Sequence, residues 1–248
     1  MSEEKSVIVT GAASGIGQAC ARDLAAEGHR VLALDLNADA IEAAHPGAGN
    51  ALVPFAADVS NAEDCERAVD TAVERFGRLD AMIHFAAIHS TAPWRELDAE
   101  EFNRVLAVNV TGSFLMSQAA AKPMISRGGG SIVLTASGIV HVGGVGGTGR
   151  GGPAYASSKA AIVALTRSLA RSLGADGIRV NAIAPGATET AMTADYTEED
   201  VAQARSRSVL GRMGRPEEIA DAARFLISER ASFITGEVMN VNGGGSFA

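Results

Sequence analysis

A doubly wound α/β architecture, with one sheet of seven parallel strands and helices on both faces, is predicted for this chain by three observations. Short strand-length apolar runs alternate with stretches of helical periodicity along the whole sequence. Those runs are apolar at consecutive positions, so both faces must be covered, and β-α-β crossovers cover them by laying helices on each side of a parallel sheet. No Pro- or Ser-rich linker divides the 248 residues and no internal repeat is present, so one domain over 1–248 is expected.

Val7-Ile8-Val9 is the first strand, Gln18 to Glu27 carries apolar positions at helical spacing, and Val31-Leu32-Ala33-Leu34 is the second strand. Leu52 to Ala56 follows as a strand, then a helix over Ala62 to Phe76 with Cys65, Val69, Ala72, Val73 and Phe76 on one face, then a strand over Ala81 to Phe85. Asp98-Ala99-Glu100-Glu101 has capping-box spacing and opens a helix expected to run unbroken from about Glu100 to Ser126. Ile132-Val133-Leu134 is strand-like, Pro153 to Leu173 helical, and Ile178 to Ile183 a further strand. Pro216 suits a first helical turn ahead of Glu217, Glu218 and an apolar face ending near Leu226, and Val238 to Val241 closes the series.

Composition removes several function classes. At 47% hydrophobic and 20% charged the chain is neither disordered nor, with two cysteines, a disulfide scaffold. Its 21 basic and 29 acidic residues leave a formal charge of −8, which gives no electrostatic reason to bind nucleic acid. The longest charge-free run, Gly128 to Gly149, is broken by glycines and polar residues, so no membrane span is expected. Met1 to Lys5 lacks the pattern of a secretory signal, and Cys20 and Cys65 fall in expected helices as small apolar residues, which together predict a cytoplasmic protein. No Cys, His and carboxylate spacing resembles a metal site.

Glycine is informative because it clusters. Thr10-Gly11-Ala12-Ala13-Ser14-Gly15-Ile16-Gly17 directly follows the first strand and opens the first helix, where a turn without side chains lets the backbone approach a pyrophosphate and the helix start offers N–H groups. Gly11, Ser14, Gly15, Ile16 and Gly17 are therefore candidate cofactor contacts. Asp35, ending the second strand, is placed to accept from both hydroxyls of an adenosine ribose; its charge opposes a 2′-phosphate, and no basic neighbour offsets it, so NAD is favoured over NADP. Asp58, with Val59 beside it, follows the third strand and is a candidate contact to the adenine edge.

Tyr155 and Lys159 are four apart in an expected helix and share a face. A phenol with pKa near ~10 is a poor base at neutral pH, and a nearby ammonium favours its phenolate, so Lys159 is expected to acidify Tyr155. Ser137 lies just past a strand at the carboxyl edge of the sheet, where open α/β folds hold ligands. Asn109 is polar amid Val105, Leu106, Val108 and Val110, so burial requires it to be hydrogen-bonded, and it is a candidate anchor for a water linking Lys159 to solvent.

Together these motifs, running from Thr10 to Gly243-Gly244, resemble the short-chain dehydrogenase/reductase family. The resemblance implies a Rossmann-type fold, Ser137, Tyr155 and Lys159 as the catalytic set, and Asn109 completing a proton relay. It further implies that Arg179-Val180-Asn181 belongs to the sixth-strand segment, and that Pro185, Gly186, Thr188 and Thr190 face the nicotinamide end, with Thr190 bonding its carboxamide. Lys159 would hold the nicotinamide ribose, and a homotetramer is implied, its helix contacts expected along Gln118 to Ala121 and Ala160 to Ala170. The sequence departs from the family at Phe85-Ala86-Ala87, where Asn-Ala-Gly is usual, and in the seven glycines within Gly143 to Gly152.

The expected reaction is hydride transfer between NAD(H) and a secondary alcohol or ketone, with a small cyclic alcohol, hydroxy compound or polyol as substrate. The rivals are a 3-oxoacyl-[acyl-carrier-protein] reductase and a non-catalytic NAD-binding sensor or scaffold. Substrate identity is expected to depend on Ser90 to Arg95, Ile139 to Gly152, and a loop of about 187–212 holding Met192, Tyr196, Val209 and Leu210. His89 and His141 are possible substrate contacts, and Arg205, Arg207, Arg212 and Arg215 read as solvated helix charges.

Overall fold

The computed structural model describes residues 4–47, 49–90, 92–143 and 152–247. Seven parallel strands form one sheet: β1 (Ser6–Thr10), β2 (Arg30–Asp35), β3 (Leu52–Ala56), β4 (Ala81–His84), β5 (Gly130–Thr135), β6 (Ile178–Pro185) and β7 (Val238–Val241). Their spatial order is β3-β2-β1-β4-β5-β6-β7, all pairs parallel. The chain thus starts mid-sheet, runs outward to β3 and returns to pair β4 with β1. That reversal opens a crevice beyond the carboxyl ends of β1 and β4, where ligands bind in such sheets.

Alternation along the strands divides the core into two layers. Ile8, Leu32, Met82, Ile132, Leu134 and Val180 pack with α3 (Ala62–Phe76), α5 (Gly112–Arg127) and α7 (Pro153–Leu173). Val7, Val9, Val31, Ala33, Ile83 and Val133 face the other way, onto α1 (Gly15–Ala26) and α9 (Pro216–Ile227). Every helix and strand expected from periodicity is present, and each central strand is buried on both faces. Cys20 and Cys65 are buried and free, and burial pushes both thiols up, Cys65 to about 12, which leaves them inert. No described helix is long and apolar enough to cross a membrane.

Three features differ from the sequence expectation. The helix expected to run unbroken to Ser126 is α4 (Ala99–Leu106), a π-helical turn (Ala107–Thr111) and α5, with the Gly112 N–H reaching back to the Ala107 carbonyl. At Gly112 a Cβ would lie 2.9 Å from Val59 Cγ2, so the widened turn sits where the helix crosses the loop after β3. Two helices escaped the periodicity reading: α2 (Ala38–Ala44) and α8 (Glu198–Arg207). Their signals were in the caps, since Asn37 accepts from the Asp39 and Ala40 N–H groups, and Thr197 and Asp200 form a capping box. α8 buries no residue and so had no apolar stripe to read. A short α6 (Ile139–Val142) lies just after Ser137.

Candidate active site

β1 turns into α1 through backbone that only glycine permits. Gly11 (φ +68°) and Gly15 (φ +55°) are left-handed, and a Cβ on Gly17 would lie 2.1 Å from the Gly11 carbonyl oxygen. Ser14 makes no side-chain cap, so the first N–H groups of α1 face the crevice without a side-chain acceptor. A dinucleotide pyrophosphate fits this cradle by both shape and dipole. Thr190 closes over it, its Cγ2 3.2 Å from where a Gly15 Cβ would stand.

Asp35 is fixed beside the loop: Oδ2 accepts from the Ala13 N–H at 3.0 Å and Oδ1 from the Leu36 N–H at 2.8 Å. Those bonds lock the carboxylate in place, and the neighbouring Leu36 is 71% exposed and apolar. Asp58 and Val59 line the same crevice, and Asp58 Oδ1 also closes a turn by accepting from the Ser60 N–H (2.8 Å) and Oγ (2.7 Å). At the far end stand Pro185, Gly186, Thr188 and Thr190. A Cβ on Gly186 would lie 2.9 Å from Asn242 Cα, and the Thr188 hydroxyl donates to the Gly186 carbonyl at 3.0 Å.

Between these ends, α7 and the carboxyl edge of β5 bring three polar groups together. The Tyr155 phenol is hydrogen-bonded with the Ser137 side chain, and Ser137 Oγ also accepts from the Ile139 N–H at 3.2 Å. Lys159 Nζ donates to the Thr135 carbonyl at 2.8 Å and lies 5.6 Å from the centroid of the Tyr155 ring. His89 meets that ring edge-on, centroids 6.3 Å apart.

The electrostatics correct the expectation that Lys159 acidifies Tyr155. Burial pushes the phenol up to about 12, the hydrogen bond with Ser137 offsets this only in part, and Tyr196 adds to the rise. Burial also brings Lys159 down to about 8. Desolvation therefore outweighs the charge of a lysine whose ammonium is directed at a carbonyl rather than at the phenol oxygen.

Asn109 is buried and hydrogen-bonded, as its polar side chain amid apolar neighbours requires. It is 1% exposed, its Oδ1 accepts from the Ile88 N–H (2.9 Å), and its Nδ2 donates to the Ile88 carbonyl (2.8 Å) and to Ser158 Oγ (2.9 Å). Ser158 in turn donates to the Tyr155 carbonyl at 2.7 Å. The side chain ties the segment after β4 to the helix that carries Tyr155 and Lys159. Sequence reasoning passes over Thr135, whose carbonyl accepts from Lys159, and His84, whose carbonyl accepts from Thr135 Oγ1; polar residues ending otherwise apolar strands are the available signal.

The groups open onto a single cleft of about 1220 Å³. Met192, Tyr196, Leu210, Ile139 and His89 line it, whereas Ser90, Arg95, Val209 and His141 do not. Ser90 is buried beneath the loop, its hydroxyl accepting from the Ala92 N–H at 3.2 Å. Arg207 and Arg212 also line the cleft, Arg212 and Arg215 are paired with Glu218, and Arg205 lies in an adjoining hollow. Thr148, Arg150 and most of the glycine-rich segment lie outside the described residues.

A family model described as enoyl-(acyl carrier protein) reductase matches residues 11–246. The chain is 36% identical to the 3-oxoacyl-[acyl-carrier-protein] reductase FabG of Thermotoga maritima, over 98% of each chain. It is 38% identical to the cis-4-hydroxycyclohexanecarboxylate dehydrogenase of Sinomonas cyclohexanicum, over 97% of this chain and 96% of that one. Among solved structures it superposes with a TM-score of 0.91 on a short-chain type dehydrogenase/reductase from Mycobacterium marinum, 32% identical and covering 98% and 96% of the two chains.

Proposed function

The chain belongs to the short-chain dehydrogenase/reductase family, and from that premise we propose that it is an NAD-dependent oxidoreductase interconverting a secondary alcohol and a ketone. The observation that carries this reading is the meeting of Tyr155, Ser137 and Lys159 at the end of β5, beside a phosphate cradle and a fixed Asp35.

In this reading Gly11, Ser14, Gly15, Ile16 and Gly17 seat the pyrophosphate, Asp35 takes the adenosine ribose hydroxyls, and Asp58 and Val59 flank the adenine. Pro185, Gly186, Thr188 and Thr190 hold the carboxamide end, and Lys159 reaches the second ribose. Bound NAD supplies the hydride acceptor, or NADH the donor. Ser137 orients the substrate oxygen by hydrogen bonding, and Tyr155 exchanges a proton with that same oxygen. Asn109 contributes by position, fixing α7 against the segment after β4.

Asp35 favours NAD because a 2′-phosphate would meet a carboxylate with apolar Leu36, not a cation, beside it. Two unit charges ~4 Å apart at an effective dielectric of ~20 repel by about 4 kcal/mol, so even after screening we expect a kcat/KM preference for NAD of about 100-fold or more. Steady-state assays with each coenzyme test this, and a preference for NADP overturns it.

For the substrate, a small cyclic alcohol, hydroxy compound or polyol suits a cleft walled by Met192, Tyr196 and Leu210. The 36% identity to a 3-oxoacyl-[acyl-carrier-protein] reductase supports a second reading, reduction of a 3-oxoacyl thioester. Oxidation of secondary alcohols with NAD, set against reduction of an acetoacetyl thioester with NADH and NADPH, separates the two.

We also propose a cytoplasmic homotetramer. Ala119, Ala120, Ala121 and Ala170 pack into the chain's own core, whereas Gln118, Ala160 and Ala164 of the same stretches, Phe114 and Ile125 on α5, and Phe233 and Phe247 flanking β7 are exposed. Light scattering is expected to return about four times the 25.3 kDa chain mass, and a monomer mass would exclude the assembly.

A further inference from the structure

His84 ends β4 and is 2% exposed, yet among the described residues its Nε2 has no hydrogen-bond partner. Its other ring nitrogen is 3.0 Å from Thr10 Oγ1, and that oxygen accepts from the Ala86 N–H at 3.1 Å. A hydroxyl has one proton to give, and among the described residues His84 Nδ1 is the acceptor within reach of the Thr10 hydroxyl, so donation to Nδ1 is the arrangement that leaves the Thr10 proton paired. Nδ1 is then the acceptor and the ring proton resides on Nε2, as a buried donor without an acceptor. Native interiors rarely leave such a group unpaired, and a bound water is the usual solution.

The surroundings say where that donor acts. Ile8 and Met82, two residues earlier on β1 and β4, pack in the layer beneath α3, α5 and α7, so alternation brings Thr10 and His84 to the same face. Burial holds the ring neutral, down to about 3, and among the described residues the charge of Lys159 on α7 adds to this. The two residues are also joined through β5: Thr135 Oγ1 donates to the His84 carbonyl at 2.7 Å, and the Thr135 carbonyl accepts from Lys159 Nζ at 2.8 Å. On its other side the Thr10–Ala86 bond presses the chain after β4 onto the phosphate loop, where a Gly11 Cβ would lie 2.9 Å from the Ala86 nitrogen.

We propose that His84 is a positioning residue: fixed by Thr10 as the Nε2–H tautomer, it holds a buried water beside Lys159 and so joins the phosphate loop to the lysine. An ammonium and an Nε2–H are both donors, and one water oxygen accepts from both, which satisfies the imidazole and solvates the buried cation. The importance of Lys159 rests on the oxidoreductase reading above; the tautomer of His84 does not.

Nitrogen-15 NMR of the imidazoles tests the first half without any assay of turnover. His84 is expected to show the Nε2–H tautomer and no titration from about pH 5 to about pH 9. An Nδ1–H tautomer, or a titration midpoint within that range, overturns the proposal. For the second half, the chain has only three lysines, Lys5, Lys122 and Lys159, so carbon-13 labelling at Cε resolves the Lys159 ammonium. Loss of the water in His84→Leu is expected to lower the Lys159 midpoint by about half a pH unit or more. His84→Asn, which keeps an acceptor for Thr10 and an N–H donor, is expected to hold the wild-type midpoint. An unmoved midpoint in the leucine variant, or equal shifts in both, overturns the water link. Should the leucine variant fail to fold, the wild-type tautomer still decides. A protein with the expected tautomer and no turnover on any alcohol or ketone would sink the oxidoreductase reading alone.

Discussion

Replacing Tyr155 with phenylalanine is expected to lower turnover by about 100- to 10 000-fold, the usual range for losing a positioned proton donor, while NADH binding stays within a few-fold of wild type. The phenol contributes only its hydroxyl to the reacting oxygen, and the ring, packed edge-on to His89, is kept by the substitution. Coenzyme fluorescence titration and single-turnover hydride transfer measure the two quantities separately. A phenylalanine variant retaining more than about a tenth of wild-type turnover would remove the phenol from the proton path. The pH dependence should follow the same group. With burial holding the phenol near 12 it is protonated at neutral pH, ready to donate during ketone reduction. Alcohol oxidation needs the phenolate, so its rate is expected to climb through the alkaline range while the reduction rate holds until the pH nears about 12.

Replacing Lys159 with methionine is expected to abolish useful turnover and at the same time stabilise the coenzyme-free protein at pH 7. The lysine is 3% exposed and its folded value is about 8, below the 10.5 of an unburied amine. Below pH 8 the ammonium is charged in both states, and the folded chain bears the full desolvation penalty, on the order of 3 kcal/mol. Between about 8 and 10.5 the folded state releases its proton first, so wild-type stability rises with pH across that window and the penalty fades above it. Methionine fills a similar volume without the charge but leaves the Thr135 carbonyl without its donor, which costs about 1–3 kcal/mol. The net gain at pH 7 is then about 1 kcal/mol, or roughly 2–4 °C in melting temperature, and it shrinks above pH 10. Thermal melts without NAD across pH 6 to 11 decide this, since bound coenzyme would add its own stabilisation to the wild type. A methionine variant that melts lower than wild type at pH 7 would show that the buried ammonium is not a net burden.

The legible parts of the site were those whose chemistry is local in sequence. The glycines of the phosphate loop are dictated by backbone that turns within eight residues, from Thr10 to Gly17, and the Tyr155–Lys159 pair by one helical turn. What periodicity missed, it missed for stated reasons. α8 has no buried face, and the π-helical turn depends on Val59, distant in sequence, against Gly112. Asn109 was singled out as a buried polar group, but its partners, Ile88 and Ser158, belong to other segments and could not be assigned from its own neighbourhood.

Sequence alone determined the succession of the seven strands and the helices with an apolar stripe, the parallel sheet that consecutive apolar strands require, the cofactor turn and the identity of most polar groups beside it. Tertiary structure alone decided the protonation of those groups. Whether Lys159 acidifies Tyr155 depends on how deeply each is buried and where the ammonium points, and here both groups lie out of water and the lysine is turned to the Thr135 carbonyl. Residue types and spacing fix which charges are near one another, but the solvation that sets their balance is a property of everything packed around them, drawn from β4, β5 and α7 at once.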